Sequence, residues 1–174
     1  MKRSIALVVY ILTLTVILAA GAAARTVLPA ESMSDQSEYR SRSGEFDKAR
    51  FAAEVLRLIN AERAAAGLDI LSESCELDQA AEKRSREIAV SFSHTRPDGS
   101  SCFTALQQAG AVYTKAGENL AIGQTTAEQA AAEWLASPAH LRNIMDPDFR
   151  QTGIAVREST DKTAGLAWTQ LFTD

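Results

Sequence analysis

The spacing of apolar residues changes character along this chain, and that change restricts the fold more than any other feature. In the first part of the folding region apolar side chains recur mostly at helical intervals. Phe51, Val55, Leu58 and Ile59 form a stripe on a helix that Asp47 can cap and that runs to Ala66, with Gly67 just past its end. Ile70 and Leu71 make a short extended piece. Leu77, Ala80, Ala81, Arg84 and Ile88 share one face of a second helix over residues 75–90, whose opposite face is charged. Pro97-Asp98-Gly99 marks a turn. A short helix over residues 101–109 stops at Gly110. Thr125 and Glu128 are spaced as a capping box and open a helix through Ala130, Ala131 and Trp134, which Pro138 interrupts. Asp146-Pro147 is another turn. Residues 153–157 and 166–172 then read as strands joined by a polar hairpin over residues 159–165. Helices first and strands mainly at the end favour a mixed α+β layer fold over a doubly wound parallel sheet.

The N-terminus is of a different kind. Lys2 and Arg3 precede residues 5–24, which carry no charge and are dominated by Leu, Val, Ile and Ala. Ala22-Ala23-Ala24 before Arg25 has the small-residue pattern of a cleavage site, so residues 1–24 have the anatomy of a secretory signal peptide. The alternative is an uncleaved anchor, because 20 helical residues reach about 30 Å. Both place the domain outside the cytoplasm, secreted or membrane-anchored, with the N-terminal segment inserting in the membrane at least transiently. Residues 25–46, where Ser32, Ser34, Ser37, Ser41 and Ser43 are mixed with charges, read as a flexible linker. The folding domain is residues 47–174.

The chain holds 22 acidic against 18 basic residues, a net charge of −4, which argues against a nucleic-acid partner. Losing Lys2 and Arg3 on cleavage would leave 16 basic residues. Two cysteines are too few for a disulfide-rich scaffold or a four-cysteine zinc site. Export favours oxidation, and Cys75 and Cys102 are expected to form one bridge closing a loop of about 28 residues, worth on the order of 3 kcal/mol. Two free thiols are the alternative.

The chain has only two histidines. His94 stands where the second helix meets a turn, and His140 follows the helix break at Pro138. Imidazole titrates near neutral pH and ligates transition metals, so both are candidate ligands. Each could instead cap a helix or bond a backbone carbonyl. Glu118, between Gly117 and Asn119 in an apolar, strand-like run, needs a partner, because glutamate is rarely buried unpaired. An imidazole would supply one. Glu133 and Ser137 are four apart and share a helical face if the helix continues that far.

Taken together, these residues resemble the CAP superfamily of cysteine-rich secretory, antigen 5 and pathogenesis-related proteins, and most closely its stand-alone bacterial members. The carriers are Leu58-Ile59-Asn60 with Glu62-Arg63, Phe92-Ser93-His94 with Pro97-Asp98-Gly99, and Gly117-Glu118-Asn119. Trp134 with Ser137-Pro138-Ala139-His140 and Asn143-Ile144, then Trp168-Thr169-Gln170 with Phe172, complete the pattern. The resemblance implies a three-layer α-β-α sandwich with a central cleft lined by His94, His140 and Glu118. The family's second acid falls on Ser137 here, and Glu133, one turn earlier, is the candidate substitute.

This leads to an exported monomer that binds a lipid, a divalent metal (zinc or magnesium) or a cell-envelope partner in that cleft. His94, Glu118 and His140 are expected to converge within metal-binding reach. A metal-dependent hydrolase of peptidase type, with Glu133 as general base, is the second reading. Hydrolysis by Ser101, Cys102 or Ser137 paired with a histidine is the third. The chain has neither a G-x-S-x-G nor an H-E-x-x-H motif.

Overall fold

The structure is a computed structural model that describes residues 47–161 and 164–174. The sequence-predicted leader and linker lie outside the described residues. Helix α1, Lys48–Ala65, begins where Asp47 accepts the amide of Arg50 at 3.0 Å. It ends in a Schellman arrangement, in which Leu68 N–H bonds Arg63 O and Gly67 N–H bonds Ala64 O. Gly67 adopts a φ of 76° there, the left-handed conformation that favours glycine. The two-residue strand β1, Ser72–Glu73, leads into α2, Cys75–Ile88. Leu77, Ala80, Ala81, Arg84 and Ile88 are all buried on one face of α2.

The short helix α3, Thr104–Gln108, precedes β2, Ala116–Ile122. Helix α4, Ala127–Ala136, follows. Its cap is Thr126, one residue later than the spacing of Thr125 and Glu128 predicts, and it accepts from Gln129 N–H. The side chain of Gln129 reaches back to the amide of Thr125, one residue before the cap, so the return bond comes from Gln129 rather than Glu128. Pro138 opens a separate helix, α5, Pro138–Ile144, in the first-turn position where its missing N–H costs nothing. Strands β3, Gln151–Glu158, and β4, Leu166–Thr173, form the closing hairpin.

The sheet order is β1-β3-β4-β2, with β1 parallel to β3 and the other pairs antiparallel. Side chains alternate across it. On one face Ile154, Val156, Trp168 and Phe172 pack with Val55 and Ile59 of α1, Ala130 and Trp134 of α4 and Ile144 of α5. On the other, Ala155 and Leu171 pack with Leu77, Ala80 and Ala81 of α2 and Leu106 of α3. This is the three-layer α-β-α sandwich. Helix α2 lies so close to β3 that a Cβ on Gly153 would stand 2.1 Å from the carbonyl carbon of Leu77, so this strand position requires glycine.

Cys75 and Cys102 are free thiols, one exposed and one buried, which corrects the expected bridge. The reason lies in the length of α2. Cys75 begins that helix, whereas Cys102 packs beside Glu118 and Arg84, nine residues and about 14 Å further along it. The loop after α2 does not return Cys102 to the helix start.

Candidate functional site

Strand β2 is the sheet's edge, and two of its adjacent residues reach into different layers. Glu118 lies opposite Leu171 and shares the α2 face, whereas Asn119 lies opposite Gln170 on the other face. His94 comes from the loop that follows α2. His140 sits in α5, on the opposite layer. The strand edge therefore gathers both histidine-bearing segments.

Glu118 grips the first. Its side chain is 1% exposed. Arg84 Nε donates to its Oε2 at 2.7 Å, and Arg84 Nη2 to its Oε1 at 3.4 Å. His94 Nδ1 lies 2.8 Å from the same Oε1. The buried Cys102 thiol lies close enough to feel the charge of this carboxylate. Three hydrogen bonds thus engage both carboxylate oxygens.

Asn119 grips the second. Its Nδ2 donates to the backbone carbonyl of His140 at 3.2 Å, and its Oδ1 accepts from Asn143 Nδ2 at 2.9 Å. Asn143 also bonds Glu118 O. Gly117 leaves room for this joint, because a Cβ there would press on Phe149 at 3.1 Å and on Asn143 at 3.3 Å. Each residue of Gly117-Glu118-Asn119 thus has a separate physical reason.

The two imidazoles differ. The side chain of His94 is 62% exposed, and no protein group bonds its Nε2 among the described residues. His140 is half-buried, and its Nδ1 is enclosed without a partner. Burial holds the His140 pKa below the usual imidazole range, and the charge of His94 adds to this, while Glu133 opposes it. His140 thus lies within electrostatic reach of both the His94 ring and the Glu133 carboxylate. Glu133 is exposed and bonds the Gln124 amide, and half-buried Ser137 precedes α5 without a side-chain capping bond.

These residues do not fit the expected three-ligand metal centre. Among the described residues no group of three or more His, Cys, Asp and Glu side chains is placed to hold an ion. The physical reason is Glu118, both of whose oxygens are engaged by Arg84 and His94. It stands behind His94 in the place of an outer carboxylate, not a ligand. His140 lacks the corresponding acceptor for its Nδ1. The cysteine reading of the site fails for a related reason. Burial first, and then the charge of Glu118, push the Cys102 thiol up to about 11, opposite to what a nucleophile needs.

Sequence reasoning did not find Arg84, Arg96, Asn119 or Asn143 as site builders. Arg84 left one signal, a cation on the apolar face of α2. The two hollows described in the domain, about 250 and 280 Å³, lie elsewhere, near Arg50 and Glu128 and near Lys48 and Asp78.

The chain matches the sequence pattern of the Cysteine-rich secretory protein family (CAP) over residues 56–172. It is 35% identical over 124 residues to the uncharacterized protein YkwD of Bacillus subtilis, covering 70% of this chain and 46% of that protein. It is similar in structure to an extracellular protein containing an SCP domain from Bacillus anthracis, with a TM-score of 0.66 and 23% identity over 72% of this chain and 41% of the other. A cysteine-rich secretory protein from Staphylococcus aureus gives a TM-score of 0.63 at 15% identity, over 74% of this chain and 40% of that one. An outer surface protein from Borrelia burgdorferi gives 0.60 at 18% identity, over 83% and 96%. At these identities the structural likeness establishes the fold alone. The chain spans less than half the length of YkwD and of the two first structural relatives.

Proposed function

The chain belongs to the cysteine-rich secretory protein family, and from that premise we propose that it is an exported, non-enzymatic module that binds a polar ligand of the cell envelope between His94 and His140. The observation that carries this reading is the engagement of both Glu118 oxygens by Arg84 and His94. A buried carboxylate already paired with a guanidinium and a ring suits holding that ring in place better than ligating an ion or taking a proton from water.

The same contacts set what the rings offer. In neutral His94 the nitrogen facing Glu118 must donate, so Nε2 is an acceptor. In His140 the enclosed Nδ1 has no partner, and an unpaired buried lone pair costs less than an unpaired buried N–H. The proton of His140 therefore sits on Nε2, a donor. One acceptor beside one donor complements a hydroxyl or an amide, the groups that glycans and peptides present.

Export is supported by Lys2 and Arg3, the uncharged residues 5–24 and the small residues before Arg25. It accords with relatives described as an extracellular and an outer surface protein. No described helix is long and apolar enough to cross a membrane.

Calorimetric titration of the chain with soluble peptidoglycan fragments, with zinc and with phospholipid vesicles tests the reading. Binding of the fragments without turnover is expected. His94→Ala and His140→Ala should each weaken it about tenfold, the loss of one hydrogen bond of roughly 1.4 kcal/mol. Turnover of the peptide portion that Glu118→Gln abolishes would instead establish the hydrolase.

A further inference from the structure

Behind Glu118 stands a line of buried charges that the binding reading does not use. Arg84 is 0% exposed, and its guanidinium spends its donors in three directions. Nε and Nη2 face Glu118, Nη1 bonds Glu87 Oε2 at 2.5 Å, and Nη2 bonds the Ser93 carbonyl at 2.7 Å. Glu87, in the last turn of α2, also receives Arg96 Nη2 at 2.5 Å and Arg96 Nε at 3.0 Å. Arg96 is tied in turn to Thr104 Oγ1 at 2.8 Å and Gln108 Oε1 at 3.1 Å, at α3. The sequence of charges is Arg96, Glu87, Arg84, Glu118, with His94 at its end.

Two of these contacts bracket His94 in the chain. Arg84 holds the carbonyl of Ser93, one residue before it, and Glu87 holds the side chain of Arg96, two residues after it. Between them the loop has no regular structure; Thr95 N–H bonds Ser93 Oγ at 3.0 Å across His94, and an isolated bridge pairs Thr95 with Ser101. A loop side chain that is 62% exposed would ordinarily sample several rotamers. Here its neighbours on both sides and its own Nδ1 are fastened to one charge line.

We infer that Arg84, backed by Glu87 and Arg96, is the positioning residue that fixes His94 with its proton on Nδ1 and its Nε2 turned to the cleft. The inference rests on the binding reading only in taking Nε2 as the atom that meets ligand. Arginine is required for its geometry. Its planar fork reaches Glu118, Glu87 and Ser93 O together, whereas a lysine in its place is a point charge that cannot span all three. The four charges, three buried and Glu87 15% exposed, sum to zero, and the line ends at the imidazole.

The test is long-range nitrogen–proton NMR of the ring nitrogens in the ¹⁵N-labelled full chain. With only two histidines in the sequence, His140→Gln assigns both rings. The native chain should show His94 as a single tautomer protonated at Nδ1. Arg84→Lys keeps the charge, and in the folded protein the single-tautomer signature of His94 should be lost while the His140 signals stay. Retention of that signature in folded Arg84→Lys overturns the inference. If Arg84→Lys does not fold, Glu87→Gln decides, since Glu87 is the most accessible of the four. It should shift the His94 ring signals and leave those of His140, and unchanged His94 signals would overturn the inference. Failure of the binding reading is seen separately. The tautomer experiment contains no ligand, so a fixed His94 that no peptidoglycan fragment perturbs would refute the ligand and leave the positioning role standing.

Discussion

Arg63 and Arg84 are both completely buried, and they solve the same problem in opposite ways. Arg63, near the end of α1, donates to four backbone carbonyls: Asp69 O at 2.8 Å, Ile144 O at 2.6 Å, Asp146 O at 3.0 Å and Phe149 O at 3.1 Å. It binds the turn after α5 to the turn after α1. Burial holds its pKa below the ordinary guanidinium range. Arg84 meets carboxylates instead. Burial opposes its charge too, but Glu118 and Glu87 outweigh that, and its pKa stands above the ordinary value. The partners of Arg63 are main-chain atoms that the fold itself fixes. The partners of Arg84 are two carboxylates, one of which also holds a histidine, and the carbonyl of the residue just before that histidine. The first guanidinium closes the structure, and the second organises a site.

Substitution should separate the two. Arg63→Met takes the shared donor away from four backbone carbonyls, those of Ile144 and Phe149 on buried bonds, and is expected to cost the most, on the order of 5 kcal/mol in denaturant unfolding. No second substitution can restore it, because its partners are backbone. Arg84→Met should cost about 3–5 kcal/mol by leaving Glu118 buried and uncompensated. Here a second change does help. Arg84→Met with Glu118→Met should recover about 2 kcal/mol of that loss, since both charges then go together. A double variant no more stable than Arg84→Met alone would erase the distinction.

Thiol reactivity probes the seal around the Arg84 line. With Cys102 pushed up to about 11, its thiolate population at pH 8 falls about 100-fold below that of an ordinary thiol of pKa 9, and burial slows it further. Labelling with iodoacetamide should therefore modify exposed Cys75 first and Cys102 at least 100-fold more slowly. Equal rates would mean that the Glu118 pocket is open to solvent.

The smallest expected effect is a pH dependence on the other layer. The folded-state pKa of His140 lies below its ordinary 6.5, so the unfolded chain takes up a proton before the folded one does. The contribution of this residue is complete above pH 6.5 and is lost as pH falls through the depressed folded value. Unfolding midpoints in urea should decline over that acidic window, and His140→Gln should flatten the decline.

Much of the fold was legible because its signals are local. Asp47, Gly67 and the stripe through Val55 and Ile59 delimit α1 within the reach of one helix. The hairpin of β3 and β4 follows from two apolar runs and the polar turn between them. The cap of α4 was misplaced by one residue because Thr125 and Thr126 are adjacent hydroxyls, and only the direction of the Gln129 side chain decides between them. The site was legible in its members and not in its joinery. Glu118 announced itself as an acid in an apolar strand that needs a partner. That the partner includes Arg84 depends on α2 packing over β3 and β4 within side-chain reach of β2, and that Asn119 holds α5 through Asn143 depends on two residues 24 apart meeting at a sheet edge. No local pattern encodes either. The expected bridge between Cys75 and Cys102 failed for the same reason, since cysteine count says nothing of which end of a helix a loop approaches.

The role of Glu118 is the point on which the account turns, and a crystal structure of the protein grown with zinc examines it directly. The expected result keeps both Glu118 oxygens on Arg84 and His94, with any ion located by anomalous scattering resting on imidazole nitrogen and lacking Glu118 as a ligand. An ion held jointly by Glu118, His94 and His140, with the carboxylate swung away from Arg84, would contradict it.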